Sequence, residues 1–261
     1  MPKFRCNDID LFYEITGKGE PIVFIHGLGS SGRDWEYQID YFSDHYQVIV
    51  LDVRGHGNSD KPPGPYSIPL FARDTAEMIK GLDIAPAHVV GISLGGMIAL
   101  QLAVDERELV RSLVIVNSGS EMVVRTMKDR LEILQRFLIV RLLGMRKMGE
   151  VLGGRLFPKP DQQELQQMFA DRWAENDPRA YREAMRAIVG WSVTDQLHKI
   201  ESPTLVVAAE HDYTSIEDKA PLVNGTKNVE LVIIENSRHA TPVDQPVEFN
   251  KVLSAFLARQ Y

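Results

Sequence analysis

One cysteine, Cys6, stands in a chain of 261 residues, so no internal disulfide and no zinc cluster built on thiolates can form. Such thrift fits a reducing compartment. An excess of basic charge is also missing: 29 Lys and Arg face 36 Asp and Glu, for a formal net charge of −7. Phosphate backbones are bound through a basic face, so nucleic acid is excluded as a partner. Every greasy segment is cut by Arg or Gly well before the roughly 18 residues that a membrane span requires, which excludes integral membrane contact. The opening "MPKFRCNDIDLFYEIT" alternates polar and apolar residues and lacks the apolar stretch of a secretory signal. A cytoplasmic protein is expected. Internal repeats and low-complexity tracts are absent, and no pattern specifies an oligomeric state. The 44% of hydrophobic residues are those of an ordinary globular chain with a large core.

"IDLFYEIT" alternates with period two and precedes a turn at "GKGEP", an antiparallel start. "PIVFIHGLG", "YQVIVLDVRGHG", "AHVVGISLGG", "VRSLVIVNSG", "PTLVVAAEHD" and "VELVIIENSRH" follow. Each is a short β-branched run that ends abruptly in polar or Gly-rich sequence, the pattern of a strand buried on both sheet faces. Helical stretches lie between them, such as "FARDTAEMIKGLDI", with Phe71, Thr75, Met78, Ile79 and Leu82 on one face. Strand–helix alternation predicts an α/β fold with a mostly parallel central sheet flanked by helices. The alternation lapses once. Residues 121–196 hold no convincing strand, so they are expected to form a helical cap inserted in a core made of 1–120 and 197–261. Six of the nine methionines fall in this stretch, suiting either an adaptable ligand surface or loosely packed helix interfaces. A basic amphipathic segment from Arg130 to Lys147 fits a solvated helix face better than a membrane surface.

Ligands of such sheets sit at the carboxyl ends of the strands, so the residues that end them carry the functional reading. Gly91-Ile92-Ser93-Leu94-Gly95 fits G-x-S-x-G between a buried strand and a helix, the context that a nucleophile elbow demands. A serine hydroxyl needs a base. His45, His88 and His198 read as surface or structural residues, His26 and His56 belong to Gly-rich loops, and His211 sits on the neighbouring strand end. His239 follows the last strand on a loop long enough to swing an imidazole over the sheet edge. Asp212 ends the preceding strand and is the expected orienting acid, with Asp52, Glu210 and Asp244 as rivals; Asn117 ends the strand after the elbow and cannot serve as a carboxylate. The order Ser93, Asp212, His239 is nucleophile, acid, base. An oxyanion hole is expected from the backbone N–H groups of Leu28 and Leu94, with Gly29 and Gly32 read as loop flexibility. "GLGSSG" matches a dinucleotide glycine spacing, but its leading His26 and the elbow downstream favour an oxyanion loop. No P-loop and no H-E-x-x-H occurs, so neither a nucleotide cofactor nor a metal is indicated.

Together "HGLGSSGRDW", "DVRGHGNSD", "GISLGGMIAL", "AAEHD" and "SRHATPVDQPVEF" resemble the α/β-hydrolase superfamily over nearly the whole chain. Within it the chain is similar to small bacterial carboxylesterases and to enol-lactone and carbon–carbon bond hydrolases. Two departures show, Arg238 and Ala209, where the superfamily often has Gly. The resemblance implies a serine hydrolase of small-molecule esters that forms an acyl-enzyme and needs no cofactor. A lactone or carbon–carbon bond hydrolase is the runner-up. A weakly catalytic ligand receptor on the same fold is the alternative from a different class.

Overall fold

The computed structural model describes residues 2–260. Its strands are β1 (Lys3–Cys6), β2 (Ile9–Thr16), β3 (Glu20–Ile25), β4 (Tyr46–Leu51), β5 (Ala87–Ile92), β6 (Val110–Val116), β7 (Thr204–Ala209) and β8 (Val229–Ile234). Its α-helices are α1 (Glu36–Phe42), α2 (Ile68–Gly81), α3 (Leu94–Asp105), α4 (Met127–Leu142), α5 (Gly144–Leu156), α6 (Gln163–Ala174), α7 (Pro178–Ile188), α8 (Ala220–Gly225), α9 (Thr241–Asp244) and α10 (Pro246–Leu257).

Runs without polar alternation must be covered on both sides, and the sheet meets that demand. All six residues of β5 and of β7 are buried. The strand order is β1-β2-β4-β3-β5-β6-β7-β8; β1–β2 and β2–β4 pair antiparallel, while every pair from β4–β3 to β7–β8 is parallel. On one face Trp35, Phe42, Phe249 and Leu253 pack against Phe24, Val50 and Val90. On the other, Phe71, Met78, Ile98 and Leu102 pack against Val23, Ile49 and Val89. Helix α3 is buried from Leu94 through Val104, as a helix apolar all round must be. The outer strand β8 is less protected and leaves Leu231 and Ile233 exposed on one face. Among the described residues no helix is long and apolar enough to cross a membrane.

Four helices, α4 to α7, lie between β6 and β7. The chain leaves and re-enters the sheet layer through a narrow neck, with Glu121 bridging Ser192 and Met122 N–H donating to the Trp191 carbonyl at 2.8 Å. Met145 and Met148 fill an interior cluster here with Trp173 and Tyr181, so these two serve packing. Helix α4 departs from the expected solvated polar face. It turns Leu131, Leu134, Leu138 and Leu142 outward and keeps Ile133, Arg136, Phe137 and Val140 on its more buried side.

The loop after β4 is anchored by charge. The Arg54 guanidinium donates to both carboxylate oxygens of Asp74 on α2, at 2.7 and 2.9 Å, and both side chains are 3% exposed. The Cys6 thiol lies against the same group at 3.7 Å; burial and then the Asp74 charge push it up to about 12, so it stays protonated and inert. Removing one partner of a buried pair strands the other charge. Asp74→Ala is therefore expected to lower the unfolding free energy by about 3–5 kcal/mol, read from urea denaturation. A loss under about 1 kcal/mol would mean that the exposed Asp8, 2.9 Å from Arg54, suffices alone.

Candidate active site

Ser93 sits at the junction of β5 and α3 with φ 53° and ψ −116°, a conformation that costs a non-glycine residue of order 1–3 kcal/mol. Its surroundings over-determine it. Its N–H donates to the Val116 carbonyl at 3.0 Å, and its own carbonyl accepts from Ser118 Oγ at 2.7 Å. The flanking glycines are clearance: a Cβ on Gly91 would lie 2.2 Å from the Gly95 carbonyl oxygen, and one on Gly95 would lie 2.1 Å from that of Ile25.

The sheet register brings the other strand ends alongside. Ile92 pairs with Val116, Val116 with Val207, and Ala209 with Ile234. Past β7 the Asp212 Oδ1 accepts from His239 Nδ1 at 2.8 Å, which fixes the imidazole tautomer with Nε2 free of hydrogen. That Nε2 is buried and has no hydrogen-bond partner. The Tyr213 ring stacks on the imidazole at 4.1 Å, and its phenol feels both the Ser93 hydroxyl and the Arg136 guanidinium. Tyr213 thus links the Ser93 and His239 side chains.

Behind Asp212 lies a second layer. Its Oδ2 accepts from Thr214 Oγ1 at 2.5 Å and faces the Lys219 ammonium at 3.6 Å, with both side chains 1% exposed. Lys219 is held by the Thr214 hydroxyl and by the carbonyls of Thr214 and Ser215. Burial pushes the Asp212 carboxyl up, but the hydrogen bond and charge of His239, then Thr214 and Lys219, outweigh it and hold it below the usual range. Burial lowers the Lys219 ammonium against the pull of Asp212. Asn117 ties the two loops together: its side-chain N–H donates to the His239 carbonyl at 2.9 Å and to Thr241 Oγ1 at 2.7 Å, while its Oδ1 accepts from the Ala209 N–H at 2.8 Å.

The rival acids are occupied elsewhere. Asp52 accepts from the N–H groups of Gly32 and Asn58, Glu210 from Asn236 N–H, and Asp244 from Arg238 N–H and Gln162. Leu28 lies half-buried on the loop after β3, and Leu94 is the buried first residue of α3. A Cβ on Gly27 would come within 3.6 Å of Ser93 Cβ, so this loop abuts the elbow. Gly29 is a correction to the reading of loop flexibility. Its φ is 73°, and a Cβ there would meet the Trp173 ring at 2.8 Å. Gly32 has a structural task too, donating its N–H to Asp52. Thr214 and Lys219 escaped the sequence reading; only their nearness to Asp212 in "HDYTSIEDK" hints at them. Among the described residues no group of three or more His, Cys, Asp and Glu is placed to hold a metal ion.

Comparison with known proteins came to the same fold. A family model described as the alpha/beta hydrolase fold matches residues 20–246. The 3-oxoadipate enol-lactonase 2 of Acinetobacter baylyi is 29% identical, over 99% of each chain. The (E)-2-((N-methylformamido)methylene)succinate hydrolase of the same organism is 29% identical over 96% of this chain and 95% of its own. Among solved structures, an enol-lactonase from Burkholderia xenovorans superposes with a TM-score of 0.91 at 24% identity, covering 98% of this chain and all of that one.

Two buried imidazoles beneath the loop after β3 make the fold sensitive to acid. His26 Nδ1 donates to the Gly27 carbonyl at 2.7 Å, and its Nε2 accepts from Val53 N–H at 2.9 Å. Burial lowers it from 6.5 to about 4, and burial with the nearby His26 lowers His56 to about 3. The unfolded chain takes up these protons first, so stability is full above about pH 6.5 and falls as pH drops toward 4. Urea midpoints measured across that window should fall with uptake of up to two protons on unfolding. A flat profile would mean that water reaches both rings.

Proposed function

Because the chain belongs to the α/β-hydrolase family, with a family match over residues 20–246, we propose that it hydrolyses carboxylic esters of small molecules through Ser93, His239 and Asp212. The observation that carries this reading is the 2.8 Å bond from His239 Nδ1 to Asp212, with the buried Nε2 left unpartnered and the imidazole linked through the Tyr213 ring to a serine held in a strained elbow. Ser93 Oγ attacks the acyl carbonyl while His239 Nε2 takes its proton, and Asp212 stabilises the imidazolium that forms. The N–H groups of Leu28 and Leu94 receive the negative charge on the carbonyl oxygen. The alkoxide leaves with the proton from His239. Water, deprotonated by the same imidazole, then releases the acid and restores the serine.

Thr214 and Lys219 are positioning residues here, since they touch Asp212 and not the substrate. Residues 121–196 act as the cap that shapes the substrate space, no cofactor is needed, and the reaction runs in the cytoplasm. A lactone is an internal ester and follows the same steps with the alcohol retained in the product. The 3-oxoadipate enol-lactonase 2 named above favours it as a second reading.

Ser93→Ala is expected to lower kcat for p-nitrophenyl esters about 10⁴-fold or more while thermal unfolding stays cooperative. A fluorophosphonate should modify Ser93 stoichiometrically. Absence of labelling in a folded, wild-type sample would overturn the assignment and favour a ligand receptor on this fold.

A further inference from the structure

The helical insertion reaches the loops around Ser93 through a circuit of contacts. Trp173 on α6 packs on Gly29, where a Cβ would meet its ring at 2.8 Å. The Trp173 and Tyr181 rings are 5.6 Å apart. On α4, the Arg136 guanidinium lies 6.0 Å from the Tyr213 ring centroid, and Tyr213 stacks on His239 at 4.1 Å. Arg136 is thus one aromatic ring away from the imidazole.

An arginine here is out of place by the helical pattern. Positions 133, 137 and 140 on the same side of α4 are Ile, Phe and Val, and the period calls for another apolar residue. Arg136 is half-buried, and among the described residues no carboxylate pairs with it. The other polar groups that address it are the phenols of Tyr181 and Tyr213, hydroxyls that leave its charge unneutralised. A partly desolvated cation met only by neutral phenols can accept an anion. The guanidinium fork matches a planar carboxylate, which it can bind bidentately.

We propose that Arg136 receives a carboxylate carried by the substrate, so that the preferred substrates are half-esters, or lactones bearing a free acid. The proposal rests on the ester-hydrolase reading for its turnover, but not for its binding site. Arg136 makes the specificity and Ser93 makes the bond change: water and a half-ester yield a dicarboxylate and an alcohol.

The test pairs monomethyl succinate, glutarate and adipate with their neutral dimethyl diesters. The wild type should favour at least one half-ester over its diester in kcat/KM. Arg136→Gln should reduce that preference about 10- to 100-fold, chiefly through KM, with the diester rate changed less than about threefold, and Arg136→Lys should recover part of the loss. Glutarate binding to Ser93→Ala, followed by calorimetry, should weaken at least tenfold when Arg136→Gln is added. A wild type that prefers every diester, or an Arg136→Gln loss equal for both substrate classes, would reduce Arg136 to a packing cation over Tyr213 and overturn the proposal. If no ester turns over but glutarate binds through Arg136, the hydrolase reading fails and the carboxylate site stands; hydrolysis of diesters with no glutarate binding is the reverse.

Discussion

The closeness of three backbones decides what the rest of this molecule can do. The end of β3, the end of β5 and the first turn of α3 meet where a methyl group on Gly95 would lie 2.1 Å from the Ile25 carbonyl oxygen. Because that approach is possible, α3 can start directly beneath the sheet edge and Ser93 is lifted into a left-handed conformation. It also presses the loop after β3 against the elbow, so two chain segments distant in sequence share one small volume. Any side chain at 91 or 95 would push the helix away, and with it both the serine and the helix terminus.

Electrostatics at the neighbouring strand end follow a different logic. Asp212 is buried, which opposes its charge, yet it is ionised because His239, Thr214 and Lys219 all address it. Lys219 in turn has its ammonium held by one hydroxyl and two carbonyls. A buried cation behind a buried anion limits how far the carboxylate's field reaches, while the 2.8 Å bond holds the imidazole in place. Asn117 then fixes the spacing of the two loops through backbone groups on both.

Much of this was legible in the sequence. Unalternating β-branched runs with abrupt polar ends specify a doubly covered parallel sheet, and G-x-S-x-G between such a run and a helix marks the elbow because a Cβ at 91 or 95 would collide with backbone there. Asp212 and His239, which the fold brings into contact, stood out because they follow successive strands closely. Lys219 and Thr214 could not, since a contact made across a loop of irregular turns has no period. Gly29 looked like slack and is a contact point, because its neighbour Trp173 lies far along the chain on a helix whose docking no local pattern reveals. Arg136 hid within a basic amphipathic segment; only the packing of α4 separates it from the arginines that face solvent.

The way Trp173 rests on Gly29 is reinforced around it: Asn176 donates to the Gly29 carbonyl at 2.8 Å, and Arg172 reaches both Glu36 and the Arg33 carbonyl. The insertion and the loop after β3 are consequently one fitted part, not a detachable module on a shared chassis. Grafting residues 121–196 alone onto a relative would carry Arg172, Trp173 and Asn176 away from the Arg33, Glu36 and Gly29 that they contact. A transplant that keeps these contacts has to carry residues 27–36 and the second half of the insertion together.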